Sequence, residues 1–441
     1  MNYFRKTYRQ LLARKLNILL NDHEKIVEIG CGSGYLLKDL IGERTGVEKD
    51  QELLIQGMEN CRDADFIQGE AESLDLRKFN TIVLSDVITR CNDIQKLLTS
   101  LYKNTNDRAK LIIGFHNNLW RPILSLGYRL GISDDPVKTW VSKEDVKNFC
   151  ELSGWEVFRN EACTLIPLKG PVWDQINKYL APFLKFANLS LFVVARKRLP
   201  KIVQKVSILV PVRNEAGTIA SALDRIPDLG KPTEIIFVEG NSKDNTWEVL
   251  QSLPKSHNLR EVVVGKQPGI GKGDAVRYGF SLATGDVLLI LDGDLTMPPE
   301  EIPKYIEALE SGVTEFANGS RLVYIMDKKA MQFANLVANK LFGISFSWLL
   351  GQRLKDTLCG TKVLWKEDYD KIVANRAYFG DFDPFGDFDL LFGAAKLNLR
   401  IVDIPIHYKE RSYGETNIQR WKHGVILLKM MLVASKKLKF T

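Results

Sequence analysis

Apolar residues fall in short runs separated by glycine turns and amphipathic stretches, and this alternation starts twice along the chain. Residues 25–29 form a short apolar run that predicts a strand, followed at once by a glycine turn. Runs at 81–84 and 110–115 predict further strands with helical stretches between them, and 157–159 and 191–195 predict late strands that close the first unit. A basic, proline-bearing stretch, Arg196-Lys197-Arg198-Leu199-Pro200-Lys201, reads as a linker. After it, 206–210 opens a second sheet that 235–238, 261–264 and 287–291 continue. Repeated strand–helix alternation predicts parallel sheets covered by helices. The expected class is therefore α/β, with two doubly wound domains at 1–198 and 206–417. A linker at 199–205 joins them, and a basic amphipathic helix over 418–441 follows.

The chain has 441 residues, enough for each unit to bury a core. Hydrophobic content of 45% and charged content of 26% place it among soluble globular proteins. A net charge of +7 permits anionic partners without singling out nucleic acid, which is not expected as a partner. Cys31, Cys61, Cys91, Cys150, Cys163 and Cys359 are scattered, with no C-x-x-C. That argues against a structural zinc site and for reduced thiols in a cytoplasmic setting. The start, Met1-Asn2-Tyr3-Phe4-Arg5-Lys6, lacks the apolar core of a signal peptide. No apolar run approaches the roughly eighteen residues that span a bilayer. The expectation is a cytoplasmic protein that can lie on a membrane without crossing it.

The most informative local feature is Leu291-Asp292-Gly293-Asp294, closing the run of Val287 to Ile290. Two carboxylates one residue apart at a strand end project the same way. Such hard oxygens suit one Mg²⁺ or Mn²⁺, which in turn suits a diphosphate. Alone, the pair fits a surface loop as well. Its company, Gly271-Lys272-Gly273-Asp274-Ala275 and Pro211-Val212-Arg213-Asn214-Glu215, fits a nucleotide-sugar site. Asn214 and Glu215 are also good helix N-terminal chemistry. The stretch from Val238 to Thr246 again crowds acids and small polar groups at a strand edge.

In the first unit, Val27-Glu28-Ile29-Gly30-Cys31-Gly32-Ser33-Gly34 reads as a strand, a tight turn and then a helix. The glycines let the backbone approach a ligand that a Cβ would block, although a plain βα turn carries the same pattern. Glu48 ends the next strand, where an acid can accept both hydroxyls of a ribose. Gly69-Glu70-Ala71-Glu72 follows the third strand and Ser85-Asp86-Val87 the fourth. His116, just past a strand end, fits a general base and equally a satisfied loop residue.

Across roughly residues 8–198 this series resembles the class I S-adenosylmethionine-dependent methyltransferases. The resemblance implies a Rossmann-like fold that binds S-adenosylmethionine through Glu28, Gly30, Gly32, Gly34, Glu48, Glu70 and Asp86. The glycines would shape the methionine side, Glu48 would hold the ribose and Glu70 would sit near the adenine. The family more often has Asp at both acid positions. Methyl transfer runs largely on proximity and orientation and leaves few diagnostic side chains. A non-catalytic cofactor-binding or docking module is the alternative for this unit.

Residues 205–417 carry P-V-R-N-E, V-E-G-N-S-K-D-N-T, G-K-G-D-A-V-R-Y-G, L-D-G-D-L-T-M-P-P-E, N-G-S-R, D-T-L-C-G-T-K and R-S-Y-G-E-T-N. Together these resemble the family 2 inverting glycosyltransferases of the GT-A fold, most closely the dolichyl- and polyprenyl-phosphate sugar synthases. By that resemblance Pro211, Arg213, Glu215, Glu239 and Asp244 frame the donor nucleoside, with Lys272 adding charge. Asp292 and Asp294 bind the metal on the donor diphosphate. Arg321 and Arg411 face phosphate oxygens, which suit their forks. Three positions depart from the family: Gly240 follows Glu239 where a second acid is common, Thr296 replaces Gln, and Asn417 replaces Lys.

A hydroxyl acceptor needs a general base, for which Asp389 is the candidate. A phosphate acceptor is already ionised, with its second pKa near about 6, and needs cations and an apolar path instead. In 331–350, Phe333, Leu336, Val337, Leu341, Ile344 and Trp348 recur at helical spacing, which suits core packing and membrane contact equally. At the C-terminus Ile418, Trp421, Val425, Leu428 and Leu432 form a stripe among Arg420, Lys422, Lys429, Lys436, Lys437 and Lys439. That stripe predicts anchoring on an anionic membrane surface. The expected activity is inverting glycosyl transfer from a nucleotide sugar to a polyprenyl phosphate at that surface, with a methyltransferase domain attached. The alternative acceptor is a hydroxyl of a glycan or lipid. Asp356 to Gly360 reads as a supporting turn, and Cys359 shows no basic neighbour that would make it a nucleophile.

Overall fold

The computed structural model describes residues 3–130, 137–324, 333–378, 386–411, 413 and 420–440. It divides into two compact units. Unit 1 comprises Met1–Arg198 with Ser435–Thr441, and unit 2 comprises Leu199–Ala434.

Unit 1 is built on seven strands: β1 (Lys25–Ile29), β2 (Glu43–Glu48), β3 (Asp65–Gln68), β4 (Thr81–Ser85), β5 (Lys110–His116), β6 (Trp155–Cys163) and β7 (Ser190–Lys197). Their order is β3-β2-β1-β4-β5-β7-β6. The first five run parallel, and β7 lies antiparallel between β5 and β6. Apolar cores form on both faces, as buried parallel strands require. On one face Leu12, Leu16 and Leu19 of helix Tyr3–Leu19 meet Ile26, Ile112 and Val194. On the other, Leu97, Leu98 and Leu101 of helix Ile94–Asn104 meet Ile82, Leu111 and Val193.

Two local expectations change. β6 is nine residues long rather than three, because its register shifts between Val157 and Arg159. That bulge resets the alternation and hides the strand from a period-2 reading. The glycine turn leads into a single three-residue turn, Leu37–Asp39, and not a helix. Gly30, Gly32, Gly34 and Gly42 all have positive φ, which leaves too little right-handed chain before β2 for a helix to form.

Unit 2 holds β8 (Val206–Val212), β9 (Thr233–Glu239), β10 (Ser256–His257), β11 (Arg260–Lys266), β12 (Val287–Ile290), β13 (Phe316–Ser320), β14 (Lys362–Trp365) and β15 (Ile401–Pro405). The order is β10-β11-β9-β8-β12-β14-β13-β15. β11, β9, β8 and β12 are parallel, while β14 runs antiparallel to both β12 and β13. β13 and β14 are not evident in the hydropathy, because Asn318, Ser320 and Lys362 are fully buried. Asn318 Nδ2 donates to the Asp356 carbonyl at 2.7 Å and to Asp403 Oδ1 at 2.6 Å, so its amide nitrogen is satisfied, while its Oδ1 accepts no hydrogen bond.

Helix Phe333–Leu350 divides its apolar stripe. Phe346, Leu349 and Leu350 are buried, whereas Leu341 and Ile344 are exposed. Phe346 stacks on Phe392 with centroids 5.5 Å apart. In helix Arg420–Leu438 the stripe members Val425, Leu428 and Leu432 are exposed, and Leu427, Met430 and Ala434 are buried. The side chains of Phe333, Leu336, Val337, Asn417, Ile418, Arg420, Trp421 and Lys422 lie outside what is described. Lys439 is not part of an exposed basic face. It is buried in unit 1 and paired with Glu161, which Lys15 also meets at 3.0 Å and Arg159 at 3.3 Å. Among the described residues no helix is long and apolar enough to cross a membrane.

Candidate functional site

In unit 2 the C-terminal ends of β8, β9 and β12 bring the expected residues to one edge, where open α/β sheets bind ligands. Gly293 makes the approach possible: a Cβ there would stand 2.8 Å from the Pro211 carbonyl oxygen and 2.9 Å from Val212 Cγ1. Asp292 and Asp294 therefore leave β12 directly beside Pro211 at the end of β8.

Each aspartate is held by a protein cation. Lys272, at the start of helix Lys272–Leu282, places Nζ 2.7 Å from Asp292 Oδ1 and 3.8 Å from Asp387 Oδ1. Burial pushes the Asp292 carboxyl up, but Lys272 outweighs it and the group sits below its ordinary value. Burial likewise opposes the charge on Lys272, and Asp292 and Asp387 together hold it above its ordinary range. Gly360 closes this corner, since a Cβ there would collide with the Asp292 carboxylate and the Lys272 ammonium.

Asp294 accepts from the Thr296 amide at 3.1 Å and its hydroxyl at 2.8 Å, so Thr296 steadies this carboxylate. Its other oxygen accepts from Arg411 Nη2 at 2.7 Å. Arg411 Nη1 donates to Glu215 Oε1 at 2.8 Å, so one guanidinium bridges two acids. Glu215 Oε2 is buried and accepts no hydrogen bond. Burial lifts the Glu215 carboxyl to about 7, with Arg411 opposing and Asp294 adding.

The donor set fits a divalent ion: two hard carboxylates at one strand end, with an orphaned carboxylate oxygen nearby. Among the described residues no group of three or more His, Cys, Asp or Glu side chains is arranged to hold a metal. Asp292 and Asp294 would therefore be the protein's contribution to such an ion, which would take over charge now supplied by Lys272 and Arg411.

The other expected residues lie along and beyond this edge. Glu239 is buried and accepts from the Ser242 amide, with Lys266 at 3.8 Å. Asp244 accepts from the Thr246 amide at 3.1 Å and so braces the start of helix Thr246–Gln251. Arg213 is exposed. Arg321 does not present its fork to the site. Its Nε and Nη2 donate to Asp356 at 2.7 and 2.9 Å, which orients the loop that carries Gly360. Asp356 also accepts from Asn339 at 3.1 Å and the Leu358 amide at 3.0 Å. Cys359 does have basic neighbours, Arg321 and Lys362, yet burial prevails and its thiol is pushed up to about 11.

Asp389, the candidate base, is set apart from its neighbour Asp387. Asp387 and Asp389 sit two residues apart in helix Asp387–Lys396, on different faces. Asp387 is the one beside Lys272. Asp389 turns to Arg376 Nε at 3.3 Å and lines a cavity of about 330 Å³ with Phe280, Tyr369, Ile372 and Leu390.

In unit 1, Gly30, Gly32 and Gly34 have φ of +66°, +55° and +71°. A Cβ built on Gly32 would meet nothing within 4 Å, so the turn is open above it. Glu48 Oε2 accepts from the Gly32 amide at 2.8 Å, and Oε1 from the Lys49 and Asp50 amides at 2.9 and 3.1 Å. These bonds fix the carboxylate against the turn and leave lone pairs for further donors. Glu28 is buried and its Oε2 has no hydrogen-bond partner. Burial lifts its pKa to about 8, with Arg9 opposing and Asp86 and Glu48 adding. Asp86, at φ +60°, lies 3.4 Å from the Tyr8 hydroxyl, 3.7 Å from His116 Nδ1 and 3.9 Å from Arg9. His116 Nδ1 is 3.3 Å from that hydroxyl, and Ser190 Oγ donates to it at 2.9 Å. Tyr8, Arg9 and Ser190 were not singled out from sequence, since nothing in a helix start or a late strand marks them. Glu70 is exposed beyond β3.

Comparison with known proteins gives two matches to family models. Residues 207–372 match the family described as glycosyl transferase family 2, and residues 2–161 match that described as a methyltransferase domain. Dolichol-phosphate mannosyltransferase of Pyrococcus furiosus is 29% identical over 229 residues, covering 49% of this chain and 59% of that protein. Undecaprenyl-phosphate 4-deoxy-4-formamido-L-arabinose transferase of Edwardsiella ictaluri is 26% identical over 232 residues, covering 52% and 66%. The chain thus spans less than two thirds of these curated relatives. Among solved structures, a SAM-dependent methyltransferase from Thermotoga maritima is 17% identical, with TM-score 0.34, covering 44% of this chain and 92% of its own. Glucosyl-3-phosphoglycerate synthase from Mycobacterium tuberculosis, solved with Mn²⁺ and UDP, is 18% identical, with TM-score 0.38, covering 54% and 81%.

Proposed function

Because the chain joins a methyltransferase domain at residues 2–161 to a family 2 glycosyltransferase domain at residues 207–372, we propose that unit 2 transfers one sugar from a nucleotide donor to a polyprenyl phosphate at a membrane surface, and that unit 1 binds S-adenosylmethionine and transfers its methyl group. The observation that carries the first reading is the paired arrangement at the end of β12, Asp292 on Lys272 and Asp294 on Arg411. Lys272 and Arg411 stand where anionic oxygens of a donor diphosphate would be received, and Asp292 and Asp294 where Mg²⁺ or Mn²⁺ would be held. A bound divalent ion supplies charge to the departing nucleotide. Glu215, just past the end of β8, and Glu239, at the end of the adjacent β9, frame the nucleoside. Names of the matched relatives include two lipid-phosphate glycosyltransferases, which favours the same acceptor class here.

A phosphate acceptor attacks the anomeric carbon without a base, and Asp387, 3.8 Å from Lys272, then serves to hold that cation in place. The hydroxyl-acceptor alternative loses Asp389, which is engaged by Arg376, and would have to use Asp387. In unit 1 the open glycine turn, the fixed Glu48 and the orphaned Glu28 oxygen fit an S-adenosylmethionine site.

The test is incubation with Mg²⁺ or Mn²⁺, a panel of nucleotide sugars and undecaprenyl phosphate, following nucleotide release. One sugar should react, and chelator should abolish release. Full activity in chelator refutes the metal reading. Titration calorimetry with S-adenosylmethionine should show binding that Glu48→Ala weakens at least about tenfold, the scale of hydrogen bonds to a charged group. Absence of binding at millimolar ligand refutes the assignment of unit 1.

A further inference from the structure

We propose that unit 1 carries a ledge that docks on an anionic lipid bilayer, formed by residues 118–130 and 169–187. The turn Asn118–Trp120, helix Arg121–Arg129, helix Pro171–Gln175 and the turn Ile176–Leu180 contain no buried residue. Their sequence is nevertheless apolar, and an apolar helix stripe ordinarily lies on a core. Instead Leu119, Ile123, Leu126, Leu130, Phe183 and Phe186 are 57–70% exposed. Single exposed apolar side chains are common on soluble surfaces, but a grouped set marks an interaction site.

The two segments form one surface. Asn117 Nδ2 donates to the carbonyls of Phe186 at 2.7 Å and Asn188 at 2.9 Å. Trp120 Nε1 donates to the Ala187 carbonyl at 2.9 Å. The ledge is thereby fixed to the end of β5 and the start of β7. That is the sheet edge where His116, Asp86 and the glycine turn open. Charge identifies the occupant. Arg121, Arg129, Lys169, Lys178 and Lys185, the last turned toward Glu161 at 3.9 Å, stand in these segments against one acid, Asp174. Trp173 and Tyr179 add amphipathic rings of the kind that settle at headgroup level. A basic apolar surface bearing aromatic rings fits anionic headgroups above and acyl chains beneath. Docking there presents the methyl-transfer edge to acceptors carried in the lipid layer. The inference uses the surface of unit 1 alone and does not depend on which acceptor unit 2 glycosylates.

Flotation of the full chain tests it, with vesicles of phosphatidylcholine alone and with one third phosphatidylglycerol. Wild type should float with the anionic vesicles and less with the neutral ones. Leu126→Glu with Phe186→Glu should cut the floated fraction at least fivefold, with the thermal transition unchanged because both side chains are exposed. Arg121→Glu with Arg129→Glu should remove the preference for anionic vesicles. Phe186→Ser provides a second, milder variant should the first lose its fold, with flotation cut at least twofold. Flotation of the folded apolar variants equal to wild type overturns the proposal. So does failure of wild type to float, or a change confined to self-association in ultracentrifugation, which would make the ledge a protein contact.

Discussion

Asp292 and Asp294 of unit 2 each rest on a protein cation at 2.7 Å, whereas Glu28, Glu48 and Asp86 of unit 1 gather with Arg9 no nearer than 3.9 Å to Asp86. The first arrangement is balanced, and a ligand must bring charges of both signs to replace what it displaces. A divalent ion with a nucleoside diphosphate does so. The second sets the acids Glu48 and Asp86 against Arg9 and keeps an excess of negative charge, while burial lifts Glu28 to about 8 and holds it protonated. A ligand bearing positive charge relieves it, and S-adenosylmethionine carries a sulfonium and an ammonium. The two sites thus differ in the sign of the charge they lack.

The comparison breaks most visibly at the metal pair. Asp292→Ala or Asp294→Ala should lower nucleotide release about a thousandfold, roughly 4 kcal/mol of transition-state stabilisation. Calorimetric binding of S-adenosylmethionine should be unchanged in both. Retained activity would show that Lys272 and Arg411 suffice without a metal.

The next effect is thermodynamic and belongs to unit 1. Burial holds Glu28 protonated in the fold, at about 8 against an ordinary value of 4.5. The native state therefore binds more protons than the unfolded chain between those values. Its contribution is full below the unfolded value and is lost as pH rises through about 8, on the order of a few kcal/mol. Melting of the ligand-free protein from pH 5 to 9 should show this decline in wild type, and Glu28→Gln should flatten it. Parallel profiles would remove Glu28 from the argument.

The smallest effect separates neighbours on one helix. Asp387→Asn should slow nucleotide release about tenfold, roughly 1.4 kcal/mol, because Lys272 loses its second anion. Asp389→Asn should stay within about twofold. The reverse ranking would restore Asp389 as a base for a hydroxyl acceptor.

Much of this was legible in the sequence. The strands that lead to Gly30, Glu239 and Asp292 are apolar runs ended by acids or glycines, and these show without any coordinates. What was hidden had physical causes. β13 and β14 bury Asn318, Ser320 and Lys362, so hydropathy misses them. Asp387 and Asp389 cannot be ranked until the helix start is known, because two residues rotate a side chain to another face. Arg321 looked like a phosphate contact because its fork suits one, and that fork is spent on Asp356. Gly360 read as part of a turn, and its need for glycine appears only once Lys272 and Asp292 fill the space beside it.

The burial of Lys439 against Glu161 has a consequence for biosynthesis. Residues 435–440 complete unit 1, yet they are translated after all of unit 2. At about 5–20 residues per second, the ribosome needs tens of seconds, in order of magnitude, to make the intervening segment. During that interval the nascent first unit exposes the place that Lys439 later fills, and Tyr179 and Phe183 lack the ring of Phe440 that packs against them. The first unit is thus completed only after the second has been synthesised, even though its own sheet is finished early.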